Sequence, residues 1–362
     1  RRGGKGRSAM STRDEDFVSS VYVVNTHTPV LFFSSRGMVY KLKVYRVPLG
    51  TPQARGKALI NVLPLSEGET ITTLMPLPED EESWDQLDVV FATASGGIRR
   101  NRLSDFTNVM ANGKIAMKLN DGDQLVGVQV CDENQDVLLA TAGGKCIRFP
   151  STDVRLFAGR NSTGVRGIRL AKGDEVISMS ILRHVEFSIE ERDAYLRRRR
   201  QERLEGDNGE TNGDTPTEAP SEAGSESDQA IELDEARYAE MYENDEYILT
   251  LATNGYGKRS SAYEYTVRKR GGQGIGNIDL SSGDENKVAA SFPVDPTDQL
   301  VLVTDQGQMI RTTVNDIRIA GRSTKGVIVF RVAKDERVVS VSGLGEVEDD
   351  DEDIEGEEAV AV

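Results

Sequence analysis

Five basic residues occupy one repeated position in this chain. Lys41, Arg100, Arg148, Arg259 and Arg311 each lie four residues after a glycine: Gly37, Gly96, Gly144, Gly255 and Gly307. A cation returning at equivalent points of a repeat can do one of two things. It can form a ring on the rim that follows the phosphates of a bent nucleic-acid backbone, reinforced here by Lys43, Arg46, Arg99, Arg102 and Lys258. Alternatively, it can bridge neighbouring repeats through carboxylates. The opening loop, Arg1-Arg2-Gly3-Gly4-Lys5-Gly6, points to the same phosphate chemistry. Consecutive glycines let backbone N–H groups approach an anion while Arg and Lys neutralise it. A weaker copy stands at Lys269-Arg270-Gly271-Gly272-Gln273-Gly274.

Other chemistry finds little support. The two histidines, His27 and His184, have no Ser or Cys nearby in a nucleophile context. The Gly-Gly-Lys-Gly string lacks the leading glycine and the following Ser or Thr of a P-loop. The carboxylates from Glu79 to Asp88 around Trp84 read as a solvated charge run rather than an acid/base pair. Cys131 and Cys146 show no metal-ligand spacing and are expected to be reduced and buried.

The elements that must position these residues are repeats. A glycine followed by Lys, Val or Ile recurs at Gly4, Gly56, Gly113, Gly164, Gly274 and Gly326, at intervals of 52, 57, 51, 110 and 52 residues. Such a period marks a propeller or an array. Between these loops lie five apolar-turn-basic runs, Leu31 to Lys43, Val89 to Arg102, Val137 to Phe149, Tyr247 to Arg259 and Leu300 to Thr312. Each predicts a β-hairpin turning on its glycine. Six loops against five hairpins imply a hairpin upstream of Arg1, so the chain reads as part of a longer protein. With the alternating segments that follow each loop, every period supplies about four strands. The predicted fold is all-β, with six four-stranded units set radially.

The doubled interval places an insertion at residues 186 to 245. Ile189 to Leu204, with Arg197-Arg198-Arg199-Arg200, and Ile231 to Tyr242 have helix-forming composition, and 205 to 229 are expected to be disordered. The Arg run could touch DNA or form a solvated face paired with Glu. The net charge of −16 is concentrated in this insertion, which carries −12, and in residues 346 to 362, an expected disordered tail with ten acidic groups and no basic one; the repeats carry +6. A basic body with acidic appendages suits a nucleic-acid partner. Apolar stretches are only of strand length, and no charged-then-apolar leader opens the chain.

The residues then reach a known family. Arg1 to Gly6 matches six of the seven residues of the Gln-Arg-Arg-Gly-Gly-Lys-Gly box of the DNA gyrase A C-terminal domain. The similarity continues through Glu15-Asp-Phe-Val, Val24-Asn-Thr-His-Thr, Phe33 to Tyr45, Asn161 to Leu170, Asn254 to Arg259 and Gly321 to Ile328, and covers essentially Arg1 to Leu344. The resemblance implies a six-bladed β-pinwheel, a propeller-like disc whose hairpins swap between neighbouring blades, its first hairpin lost here, over 1–185 and 246–345. It implies that the pinwheel bends double-stranded DNA around a basic edge so that an ATP-dependent topoisomerase introduces negative supercoils. It also implies the gyrase B protein as partner, in a heterotetramer with two copies each of gyrase A and gyrase B, and a cytoplasmic location without a membrane. No cofactor is implied in this stretch: ATP and Mg, like the catalytic tyrosine, belong to other parts of the assembly. The insertion is not general in that family. The homologous C-terminal domain of topoisomerase IV is the nearest alternative, against which the almost intact box argues. A propeller serving as a protein-interaction scaffold is more distant, since no Trp-Asp dipeptide recurs.

Overall fold

Glycines in the left-handed region turn the hairpins of this all-β chain. In a computed structural model that describes residues 22–50, 56–78, 80–206, 231–281, 285–333 and 335–344, Gly37, Gly96, Gly144, Gly255 and Gly307 have φ between 75° and 85°. At Gly255 the constraint is doubled, because a Cβ would lie 1.9 Å from the Phe330 carbonyl oxygen.

The first repeat contributes β1 (Pro29–Ser34), β2 (Met38–Lys43) and β3 (Ile71–Pro76). The second contributes β4 (Asp88–Thr93), β5 (Gly97–Arg102), β6 (Lys114–Ile115) and β7 (Leu125–Cys131). The third gives β8 (Gln135–Thr141), β9 (Lys145–Pro150), β10 (Val165–Arg166) and β11 (Val176–Arg183). Helices α1 (Ile189–Gly206) and α2 (Glu235–Asn244) follow. The fourth repeat gives β12 (Tyr247–Ala252), β13 (Tyr256–Ser261), β14 (Ile275–Gly276) and β15 (Val288–Val294). The fifth gives β16 (Gln299–Thr304), β17 (Met309–Thr313), β18 (Val327–Ile328) and β19 (Val338–Leu344).

The strands are exchanged between repeats. Each two-residue strand leaves its own hairpin and pairs with the hairpin before it, giving sheets in the orders β3-β1-β2-β6, β10-β5-β4-β7, β11-β8-β9-β14 and β15-β12-β13-β18. The fifth sheet, β17-β16-β19, has three strands among the described residues. All named pairs are antiparallel, with Met38 opposite Ile115 and Tyr256 opposite Ile328. The long last strands touch one another from sheet to sheet, β3 to β7, β7 to β11, β11 to β15 and β15 to β19. They therefore lie on the inside, and the short exchanged strands form the outer edge.

Sheets stack face to face, so central strands are covered on both sides. Val89, Val90, Phe91 and Ala92 are all buried, which explains their continuous rather than alternating apolarity. Phe33, Phe91 and Phe106 meet between the first two sheets with ring centroids 5.5 to 5.8 Å apart. Ile98, Leu139 and Phe149 fill the next seam, and Leu249, Leu300 and Phe330 the last.

The two insertion helices dock on the 3-10 turn that follows β13. Tyr195, Tyr238 and Met241 cluster on Tyr263, and Tyr195 and Phe187 meet its ring edge-on at 5.1 Å. The second helix starts later than its composition suggested, because the Asp234 carboxylate caps it by accepting from the Arg237 amide at 2.8 Å. The expected disordered stretch from 205 lies outside the described residues beyond Gly206, as does the acidic tail.

Candidate nucleic-acid interface

The repeated cation follows one rule: wherever another repeat comes next, its side chain or backbone reaches across to it. Lys41 Nζ, half-buried, donates to the Thr107 carbonyl. Arg148 is 2% exposed; its Nε meets Asp136 Oδ2 at 2.8 Å, and its Nη1 and Nη2 donate to the carbonyls of Ala262 and Arg183, both at 2.8 Å. Arg259 donates through Nε to the Ile317 carbonyl at 2.7 Å, and burial lowers its pKa. Arg100 sits 3.2 Å from Asp88 without hydrogen-bond alignment, and its carbonyl accepts from the Phe157 amide at 2.9 Å. Backbone bridges repeat the pattern, Arg100 with Leu156, Arg148 with Val267 and Arg259 with Ile319. Arg311, after which no repeat is described, is exposed.

The expected rim of cations is therefore corrected at Arg99, Arg100, Arg148, Lys258 and Arg259, all buried. The physical reason is the stacking of sheets on both faces: residues three and four after the turn point to opposite sides, and both sides are seams. Carboxylates enter only within a hairpin, from Asp88 and Asp136, whereas the links across seams end on carbonyls and the Asn315 side chain. Asp88 is thus no solvated acid; burial raises its pKa against the pull of Arg100 and Arg102.

Arg99 and Lys258 are wholly buried one residue earlier. The Arg99 guanidinium stacks on Phe91 at 5.3 Å and donates through Nη1 to the carbonyls of Arg160 and Ser162, at 2.6 and 2.9 Å. Burial pushes its pKa down to about 10. Lys258 Nζ donates to the Gly321 carbonyl at 2.6 Å and to that of Arg322, and burial lowers its pKa.

Other cations do stand at the surface. Of the predicted residues, Lys43, Arg46 and Arg311 are exposed. Reading from the hairpins missed a second set: Lys118, Arg169 and Arg331, five residues after Gly113, Gly164 and Gly326, all exposed. They follow the exchanged strands where the chain crosses the hairpin turn, as the Ala116 and Met117 amides donating to the Gly37 carbonyl show. Arg166, Arg268 and Lys269 extend this outer charge, and Asp279, five residues after Gly274, interrupts it in the fourth repeat. Counting from the glycine loops instead of the hairpin turns exposes the signal. The opening loop, Arg1, Arg2, Gly3, Gly4, Lys5 and Gly6, lies outside the described residues.

The remaining groups are structural. His184 Nδ1 lies 2.8 Å from Asp136, and Trp84 is buried with its Nε1 donating to Pro78. Both cysteines are free and buried, each thiol pushed up to about 12 by desolvation. Arg198 and Arg199 of the four-Arg run pair with Glu202, and Arg198 also with Glu235, while Arg197 and Arg200 are exposed. Among the described residues no cluster of three or more His, Cys, Asp or Glu could hold a metal, and no helix is long and apolar enough to cross a membrane.

Known proteins give this arrangement its context. The chain is 50% identical over 362 residues to the DNA gyrase A protein of Granulibacter bethesdensis, covering 99% of this chain and 38% of that protein. It is 36% identical to the DNA gyrase A protein of Escherichia coli, covering 97% and 33%. The chain thus spans less than two fifths of these relatives' length. A solved C-terminal domain of DNA topoisomerase IV aligns with a TM-score of 0.66 at 18% identity, over 92% of this chain and 84% of that one. A solved DNA gyrase A C-terminal domain aligns at 0.60 and 21%, over 90% and 89%. At these identities the structural likeness is one of fold. The model for the DNA gyrase C-terminal domain, beta-propeller, matches residues 1–25, 28–78, 87–132, 135–183, 246–291 and 298–342, and the chain belongs to that family.

Proposed function

We propose that this chain binds duplex DNA and bends it around its outer edge, so that an ATP-dependent DNA gyrase introduces negative supercoils. The observation that carries the reading is the second set of cations: Lys118, Arg169 and Arg331 recur at one position of the repeat and all stand exposed beside the exchanged strands. Charges recurring at one position of three repeats, on an outer edge, match a phosphate backbone that passes those blades in turn. Bending a duplex costs free energy, which only contacts spread along such a path offset. The opening Arg1 to Gly6 loop carries, in its sequence, the same phosphate-binding residue types. In this reading the chain works in the cytoplasm with the gyrase B protein, in a heterotetramer with two copies of each, and the ATP and Mg of the reaction are held elsewhere. The insertion at 186–245 and the tail at 346–362 are appendages to the pinwheel of 1–185 and 246–345.

Charge reversal tests the reading. Lys118→Glu, Arg169→Glu and Arg331→Glu, combined, are expected to weaken binding to DNA of any sequence. They are also expected to lower the slope of log affinity against log salt by about 0.9 for each phosphate no longer neutralised. An unchanged slope and affinity would refute it.

A further inference from the structure

The buried Arg99 sits directly beneath a surface loop and shapes its backbone. Its Nη1 draws in two carbonyls of the Gly159–Gly164 loop, those of Arg160 and Ser162. In a trans peptide the C=O and N–H point in opposite directions. Carbonyls of 160 and 162 turned inward therefore turn the amides of Asn161 and Thr163 outward. Both residues are exposed, and neither amide donates to an acceptor among the described residues. Two further donors of the same loop, Arg160 Nη1 and Ser162 Oγ, are buried beneath its surface and also lack partners among the described residues. The loop thus gathers donors without acceptors above a cation that carries no carboxylate of its own.

The fourth seam shows what such a loop accepts. Gly321 to Gly326 has the same length and the same Gly-Arg opening, with Lys258 beneath it holding the carbonyls of Gly321 and Arg322. The Arg322 amide, freed by that hold and equivalent to the amide of Arg160, is taken by the Glu264 carboxylate. Here an anion of the chain already lies on a loop amide, whereas Asp105, the residue equivalent to Glu264, instead receives the Asn101 side chain at 3.0 Å. The first loop is left open.

We propose that the Gly159–Gly164 loop is a phosphodiester-binding site whose outward Asn161 and Thr163 amides are set by Arg99, which acts as a positioning residue and never touches DNA. The proposal rests on the reading of this chain as a DNA-binding domain. Arg99→Met fills the same buried space without drawing in the carbonyls, and Arg99→Lys keeps a buried donor. In the intact chain, Arg99→Met should lower affinity for duplex DNA roughly tenfold for each amide that no longer meets a phosphate, the scale of a hydrogen bond to a charged group. The salt slope should stay unchanged, since no cation leaves a phosphate, and Arg99→Lys should restore most of the affinity. A slope lower by about 0.9 would show Arg99 on a phosphate and overturn the positioning role. Unaltered affinity in a folded Arg99→Met protein would overturn the site. Should Arg99→Met fail to fold, hydrogen exchange on the unaltered chain decides: residues 159–164 must gain protection on adding duplex DNA, and no gain overturns the proposal. Charge reversal at Lys118 and Arg169 separates the two levels. If it leaves binding intact, the DNA-binding reading fails; if it weakens binding while 159–164 gain no protection, only this inference fails.

Discussion

Replacing Arg148 by Met should unfold a seam rather than release DNA. The Arg148 side chain is almost entirely buried and anchors three groups, the Asp136 carboxylate and the carbonyls of Ala262 and Arg183, each at 2.8 Å. Asp136 itself is fully buried, so truncating its partner leaves a charge with His184 as its one remaining side-chain partner among the described residues. Breaking a buried ion pair in this way costs about 3 to 5 kcal/mol, and each carbonyl stripped of its donor adds about 1 kcal/mol or more. Because water and local shifts recover some of this, we expect a net loss of about 4 kcal/mol. For a chain of this size that lowers the melting temperature by about 5 °C. Adding Asp136→Leu removes the stranded charge and should return about half of the loss, a coupling that a double-mutant cycle by thermal denaturation would measure. Over the same variants, DNA affinity at a temperature where all are folded should change little. An unshifted melting temperature, with a salt slope reduced by about 0.9, would refute the seam assignment and return Arg148 to the phosphate path.

Further outcomes follow from other parts of the fold. Gly255→Ala places a Cβ against the Phe330 carbonyl at a backbone φ of 82° and should cost about 3 kcal/mol in chemical denaturation. Tyr263→Ala removes the platform under Tyr195 and Phe187, and should release the helical signal by circular dichroism ahead of the β-sheet transition, with a local loss of about 3 to 5 kcal/mol. Burial raises the Asp245 carboxyl to about 6 against its hydrogen bonds with Ser261 and Tyr195, from about 4 when unfolded. Its contribution is complete below about pH 4 and is lost as pH rises through about 6. Hydrogen exchange in α1 and α2, corrected for intrinsic rates, should therefore show tighter docking at pH 5 than at pH 7, and Asp245→Asn should remove that difference.

The hairpins were legible because their signal is local. A glycine is the residue that takes positive φ without strain, so Gly37, Gly96, Gly144, Gly255 and Gly307 marked the turns directly. The exchange between blades was implied by the family resemblance and by no residue pattern, because two residues such as Lys114 and Ile115 carry no periodicity and the choice of partner hairpin is made by packing. The same packing decided where cations lie. In a sheet with one wet face, either Arg99 or Arg100 would have reached solvent; here both faces are covered. The exposed Lys118, Arg169 and Arg331 were in plain view, but they keep step with the glycine loops and not with the hairpins.

The exchanged strands also bear on how the chain is made. A hairpin such as β1–β2 stays one strand short until Lys114 and Ile115, over seventy residues after the hairpin closes, can lie against Met38 and Val39. At roughly 5 to 20 residues per second of synthesis, each blade waits several seconds with an open edge for its successor. At the third blade the wait is longer, because β14 follows the whole insertion. Maturation therefore runs one unit behind the ribosome, and a stalled chain always ends in an unfinished sheet.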